Sequence, residues 1–256
     1  MATKKSPLAE RLDEVRERIA AACDKAKREP GEVTLIAVTK TAAPEQIREM
    51  LSLGVGDLGE SRVQVLQQRA AQVNEFYNRK MAHAEEGMPA KLRWHMIGHL
   101  QRNKIKPVMP VVSMIHSVDS LRLAEELDQN AEKLGKRMPV LMQVNASEEP
   151  QKYGVAVGAA VHLAEQIDSM PNLQIMGLMT MAALDANEEQ SRRTFARTRE
   201  IFEEMKWHKI GGASLKHLSM GMSNDFEAAI QEGATMVRVG TLLFGGKVTD
   251  EEMGED

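Results

Sequence analysis

Eight short apolar runs, each divided from the next by one helix-like pattern, constrain this chain more than any single motif does. The runs are Val33 to Lys40, Gly56 to Gly59, Leu92 to Ile97, Val111 to Ile115, Val140 to Val144, Leu173 to Met179, Lys216 to Ser219 and Thr235 to Val239. The first has no polar alternation before it stops at Lys40, which is the mark of a strand buried on both faces. Strands that alternate with helices are joined by crossovers and run parallel, and eight of them close a barrel. The expected fold is therefore α/β, a single (β/α)8 TIM barrel. An extra N-terminal helix over 6–30, the barrel over 33–245 and an acidic tail over 246–256 complete the expected single domain. A doubly wound open sheet is the alternative, but no Gly-rich dinucleotide fingerprint follows the first run.

Local signals place the connections. Ser6-Pro7 reads as an N-cap with proline at the first helical position, followed by Leu8, Leu12, Val15, Ile19 and Cys23 at helical spacing. Asp185 and Glu188 have capping-box spacing. Arg79 to Lys91 reads as a surface loop, a short basic helix is expected to end before Pro107, and another helix is expected from near Ser223 to Gly233. The polar stretch Ala146 to Gly154 is a loop long enough to cover a site.

Composition narrows the class of partner. Net charge is −4 and aromatic residues make up only 4% of the chain, so no nucleic-acid or membrane-surface footprint is present. A small soluble ligand is expected. Cys23 is the single cysteine and its helical spacing makes it a packing residue. No signal, transit or membrane segment is read, hence a cytoplasmic expectation. The 18 methionines form no cluster with metal-ligand spacing and are read as core filling.

In such barrels the active site lies at the carboxyl ends of the strands, often with a phosphate held after strands seven and eight. Here the seventh is followed by Met220-Gly221-Met222-Ser223-Asn224 and the eighth ends in Arg238-Val239-Gly240-Thr241. Small residues at a helix start, a glycine and a hydroxyl suit an anion, although Ser223 and Asn224 also fit as plain N-caps and Gly240 as a plain turn. Lys40 sits where the first strand surfaces, either as a mere strand end or as a nucleophile able to form a Schiff base. Arg238 is a charge at the end of a buried strand and needs a partner, either an ion pair with Glu60 or Asp225 or a ligand atom that accepts a hydrogen bond. A lysine, a phosphate cradle and a lone acceptor together describe pyridoxal 5′-phosphate, with its ring nitrogen facing Arg238. An arginine only donates there, so the nitrogen stays unprotonated and the cofactor is a weak electron sink.

The strings Ala37-Val38-Thr39-Lys40, Gly59-Glu60-Ser61-Arg62-Val63-Gln64, Trp94-His95-Met96-Ile97-Gly98-His99-Leu100-Gln101, Leu218 to Phe226 and Val237-Arg238-Val239-Gly240-Thr241 resemble the YggS/PROSC family of pyridoxal phosphate homeostasis proteins. The resemblance runs from about Val33 to Gly245. It implies a fold-type III barrel, related to the N-terminal domain of alanine racemase, with pyridoxal phosphate joined to Lys40. By position, Arg238 would meet the pyridine nitrogen, Ser223, Gly240 and Thr241 would hold the phosphate, and Ser219 and His95 would line the pocket. Three departures stand out. Ser61 occupies a position that is usually asparagine in the family, Arg79 to Lys91 is longer than expected, and Gln151-Lys152-Tyr153 replaces a smaller, more polar stretch. The implied role is a carrier, monomer or weak homodimer, that buffers the aldehyde and delivers it to apo-enzymes without strong catalysis. A racemase-like enzyme with Lys40 as its only base is the alternative. A cofactor-free lysine aldolase on a phosphorylated sugar is a third reading.

Overall fold

The computed structural model of the chain describes residues 5–149 and 151–245. The acidic tail read over 246–256 lies outside the described residues. The strands are β1 (Thr34–Val38), β2 (Asp57–Glu60), β3 (Arg93–Met96), β4 (Met114–Val118), β5 (Met138–Asn145), β6 (Val155–Ala156), β7 (Leu173–Met179), β8 (His217–Ser219) and β9 (Met236–Val239). Every pairing is parallel. The order β4-β3-β2-β1-β9-β8-β7-β5 is closed by a further β4–β5 pairing, which makes an eight-stranded barrel. β6 adds only two residues to the carboxyl end of β5, pairing Val144 with Val155.

The helices are α1 (Pro7–Lys25), α2 (Pro44–Ser52), α3 (Val63–Ala82), α4 (Ile105–Val108), α5 (Leu121–Lys133), α6 (Ala160–Asp168), α7 (Glu188–Trp207), α8 (Phe226–Gln231) and α9 (Thr241–Phe244). Ser6 caps α1 as its sequence predicts, accepting from the Ala9 amide, and Pro7 opens the first turn. Among the described residues only the single turn α9 follows the last barrel strand, and α1 packs against α8, α9 and α2. The N-terminal helix thus fills the place that an eighth crossover helix takes in a full barrel. Arg18 of α1 pairs with Glu227 of α8, and Arg28 donates to the carbonyls of Ile230 and Ala234 just before β9.

Two separate cores follow from this closure. The outer one is continuous between strands and helices and includes Leu12, Leu51, Leu66, Trp94, Leu127, Phe195 and Phe226. The inner one, in the lumen, is Ile36, Met114, Leu141, Met179 and Met236 with Met176 and Met181 against it. Flexible methionines fill the tapering interior where branched side chains of fixed shape would leave gaps.

Several expected boundaries are corrected. The fourth strand is Met114–Val118, not Val111 to Ile115, because Val111 and Val112 close the turn after α4 by donating to the Val108 carbonyl. This shift puts His116 inside the strand rather than beyond it. α3 runs on to Ala82, so the first four residues of Arg79 to Lys91 are helix rather than loop. Pro107 lies inside the single turn α4, where its missing amide costs nothing. The α7 cap is Asn187 with Gln190, not Asp185 with Glu188. α8 starts at Phe226, so Ser223 and Asn224 belong to a turn ahead of it. Among the described residues, no helix is long and apolar enough to cross a membrane.

Candidate functional site

Because every strand is parallel, one face of the barrel gathers all the carboxyl ends, and this face carries Lys40, Ser61, Ser223, Gly240 and Thr241. Lys40 is half-buried one residue past the Thr39 turn that leaves β1. Its backbone is held by a buried ion pair. The Arg69 guanidinium from α3 meets the Glu60 carboxylate at 2.6 Å and also donates to the carbonyls of Thr39, Lys40 and Ala42. Glu60 is fully buried and accepts further bonds from Thr39 Oγ1 at 3.0 Å and the Ser61 amide at 2.9 Å. Each carboxylate oxygen therefore has a donor, which is what a buried charge requires. Ser61 follows directly and is packed against the next turn: a Cβ added at Gly98 would lie 2.4 Å from the Ser61 carbonyl oxygen, so only glycine fits there.

The opposite wall is built differently. Arg238, from the middle of β9, is 3% exposed, and no carboxylate among the described residues lies within ion-pair distance of it. It donates to Ser219 Oγ at 2.7 Å and to the Thr180 carbonyl at 2.9 Å. Burial pulls its pKa down to about 10, with a smaller opposing effect from Asp225, so it stays charged at neutral pH. Neither ion-pair partner suggested by the sequence is used: Glu60 belongs to Arg69, and Asp225 accepts from the Met222 amide at 2.6 Å. Burial raises the Asp225 pKa against that bond and the pull of Arg238. Gly221, at φ +91, turns the chain between β8 and Ser223, where a Cβ would strike Ala229 and Phe226. Gly240 precedes α9, and Thr241 is that helix's first residue.

His95 is not at the rim. It lies in the lumen, where its Nε2 is 3.0 Å from Asp57 Oδ1 and its Nδ1 is 2.9 Å from His116 Nε2. His116 Nδ1 in turn is 3.0 Å from Ser219 Oγ. Asp57 opens β2 at the amino-terminal floor and is gripped by Arg93 through both carboxylate oxygens, at 2.6 and 2.7 Å. Burial alone would raise the Asp57 pKa, but bonds from Arg93 and His95 hold it at about 2. Burial, then the neighbouring His95 and Arg238, push the His116 pKa well below the ordinary imidazole value.

Over the rim, the loop after β5 reaches both ways. Tyr153 stacks on His99 with ring centroids 3.9 Å apart, and Lys152 donates to the Ala182 carbonyl at 2.8 Å. The residues that depart from the family pattern thus span the carboxyl-end face, as a covering loop would.

Sequence reasoning missed Arg69, Asp57 and Thr180 as parts of this framework, and gave His116 a structural or pocket-lining role but placed it beyond a strand end. Arg69 sat beside Ala70 on the apolar face of α3, and Asp57 was an acid inside a strand pattern; both were readable as charges in need of partners. Thr180 contributes a carbonyl, which carries no sequence signal.

A family model described as the alanine racemase N-terminal domain matches residues 11–248. The chain belongs to that family of barrels. Within it, the chain belongs with the pyridoxal phosphate homeostasis proteins: it is 41% identical to the one so named from Aquifex aeolicus over 92% of this chain and 96% of that protein. It is 36% identical to the Pseudomonas aeruginosa protein of the same name, over 94% and 96%. Among solved structures, PipY of Synechococcus elongatus with PLP bound superposes with a TM-score of 0.78 at 34% identity, covering 93% of this chain and all of that one. Alanine racemase of Clostridium difficile, at 14% identity and a TM-score of 0.68, shares the fold over 58% of its length.

Proposed function

We propose that this protein is a cytoplasmic carrier that binds pyridoxal 5′-phosphate reversibly through Lys40 and delivers it to apo-enzymes that need it. The observation that carries the reading is Arg238: a buried guanidinium with no carboxylate in contact, on the same face as Lys40. A built-in positive charge of that kind suits a ligand that is anionic and offers an acceptor. The homologues' name and the PLP bound in PipY support the same cofactor.

When bound, the cofactor supplies an aldehyde that joins a primary amine reversibly. Lys40 is the amine, and the Glu60–Arg69 pair holds its backbone in place. Arg238 would donate to the ring nitrogen, and its bonds to Ser219 and the Thr180 carbonyl would hold the guanidinium in place for it. Ser223 and Thr241 offer hydroxyls to the phosphate, and the bare Gly240 lets the chain pass close to it. Ser61 and His95 complete the wall, His95 from beneath. Because Arg238 stays charged at neutral pH and can only donate, a ring nitrogen held by it would stay unprotonated and the cofactor would be a weak electron sink, which is what a carrier needs.

The test is transfer. Purified protein loaded with pyridoxal phosphate should reactivate an apo-aminotransferase while racemising alanine negligibly. Alanine turnover at enzyme-like rates would replace the carrier with the racemase reading, and cleavage of a phosphorylated sugar without the cofactor would replace it with the aldolase.

A further inference from the structure

The lumen holds an unbroken hydrogen-bonded line from the floor to the cofactor wall: Arg93, Asp57, His95, His116, Ser219, Arg238. Its links between ring nitrogens, hydroxyl and carboxylate are 2.9 to 3.0 Å, and His95, His116 and Ser219 are all at most 2% exposed. Water does not reach the middle of such a line, so each proton on it must satisfy its two neighbours and nothing else.

That requirement fixes the proton order. Asp57 is ionised and only accepts, so His95 carries a proton on Nε2. Arg238 only donates, so Ser219 Oγ accepts from it. If His95 is neutral, its bare Nδ1 must accept from His116 Nε2–H. Neutral His116 then has a bare Nδ1, which accepts the Ser219 hydroxyl proton. Every donor from Arg238 to His95 in this state points from the cofactor wall toward the floor, where Asp57 accepts from both His95 and Arg93. If His95 is charged, the order reverses between His95 and Ser219. His95 Nδ1–H donates to His116 Nε2, the proton of His116 moves to Nδ1 and donates to Ser219, and the Ser219 hydroxyl proton is released from the line. Burial and the facing charge of Arg238 keep His116 neutral in both states.

We propose that His116 is a positioning residue: its tautomer follows the charge of His95 and thereby decides whether the Ser219 hydroxyl proton is spent on the lumen or freed toward the pocket. The titratable and charged groups around the pair are Asp57 from β2, Arg93 from the same strand as His95, His217 from β8 and Arg238 from β9. The proton that charges His95 enters at the Ser219 end: the hydroxyl takes it up from the pocket side and gives its own to His116 Nδ1, and the His116 Nε2 proton passes to His95 Nδ1, whereas Arg93 at the floor only donates and cannot carry it.

The consequence for the ligand rests on the carrier reading. A freed hydroxyl beside Arg238 adds a donor to the pocket, so affinity for pyridoxal phosphate should rise by about 2- to 10-fold as His95 becomes charged, the range of one net hydrogen bond.

Histidine 15N spectra of the full-length chain without cofactor, recorded across pH, test the relay directly. At every pH where His95 is neutral, His116 should be the Nε2–H tautomer, and wherever His95 is charged, His116 should be the neutral Nδ1–H tautomer. A His116 that keeps one tautomer while His95 changes charge, or that becomes charged itself, overturns the relay. Equilibrium dialysis against pyridoxal phosphate over the same range is the second arm. Wild type should show the affinity step over the pH range in which the His116 tautomer switches, and Ser219→Ala should lack it. A step that persists in Ser219→Ala, or no step in a wild type whose tautomer switches, breaks the link to the pocket. A chain that binds no pyridoxal phosphate at any pH sinks the carrier reading and leaves the tautomer result to stand by itself.

Discussion

The two cationic ends of the candidate pocket are held by opposite means. Around Lys40, a fully buried carboxylate meets an arginine, and that arginine grips three carbonyls of one backbone turn, those of Thr39, Lys40 and Ala42. Around Arg238, the charge faces a hydroxyl and a carbonyl, and behind them stands a line of imidazoles. The first arrangement is closed, with the charges of Glu60 and Arg69 answering each other inside the protein. The second is open by one negative charge, and its protons have two ways to order themselves. A group that must stay fixed is built with ion pairs, and a group that must receive a ligand is left with its charge unspent.

Breaking the closed end should cost most. Glu60→Ala leaves the Arg69 guanidinium without its carboxylate and removes one of the two acceptors of the Thr39 hydroxyl, and should destabilise the chain by about 3–5 kcal/mol in denaturant unfolding. A loss under about 1 kcal/mol would mean that the pair is not what holds the Lys40 turn. Arg238→Met should cost less, about 1–2 kcal/mol, because Ser219 and Thr180 lose a donor while the desolvation of a lone guanidinium is relieved. The same variant should lose pyridoxal phosphate affinity by at least about tenfold, the size of one charge-assisted hydrogen bond. Equal stability losses in the two variants would erase the distinction between the two ends.

Acid should distinguish them further. Asp57 is depressed in the folded chain from 3.8 to about 2, so its contribution is complete above pH 4 and is lost as pH falls toward 2. Allowing for partial screening, about 1–2 kcal/mol should disappear over that window. Asp57→Asn should remove that part of the pH dependence, as read from melting temperature against pH. The smallest effect is expected at the outermost link. Arg93→Ala removes a half-exposed bidentate pair and should cost about 0.5–1 kcal/mol, with the histidine tautomers of the line preserved.

The sequence made the barrel legible because its signals were periodic. Unbroken β-branched runs marked strands buried on both faces, and the turn signals between them spaced eight units. What it obscured were positions set by the neighbouring element. The fourth strand was read three residues early because Val111 and Val112 look like strand residues, yet they close a turn after α4. That slip hid His116, which then appeared to lie beyond a strand end. Lys40 and Arg238 were legible as charges at the ends of buried strands. Their partners were not, since Arg69 reaches Glu60 from a helix face, and Thr180 offers only its backbone carbonyl.

The central claim is that Lys40 takes up pyridoxal phosphate on this face. The measurement that tests it most directly is the visible spectrum of the purified protein with added pyridoxal phosphate, followed by borohydride reduction and peptide mapping, beside Lys40→Ala. The account predicts a visible band in the wild type, a pyridoxyl mass increment on the peptide that carries Lys40, and neither in the variant. A wild type that shows no band, or an increment on another lysine, would contradict it.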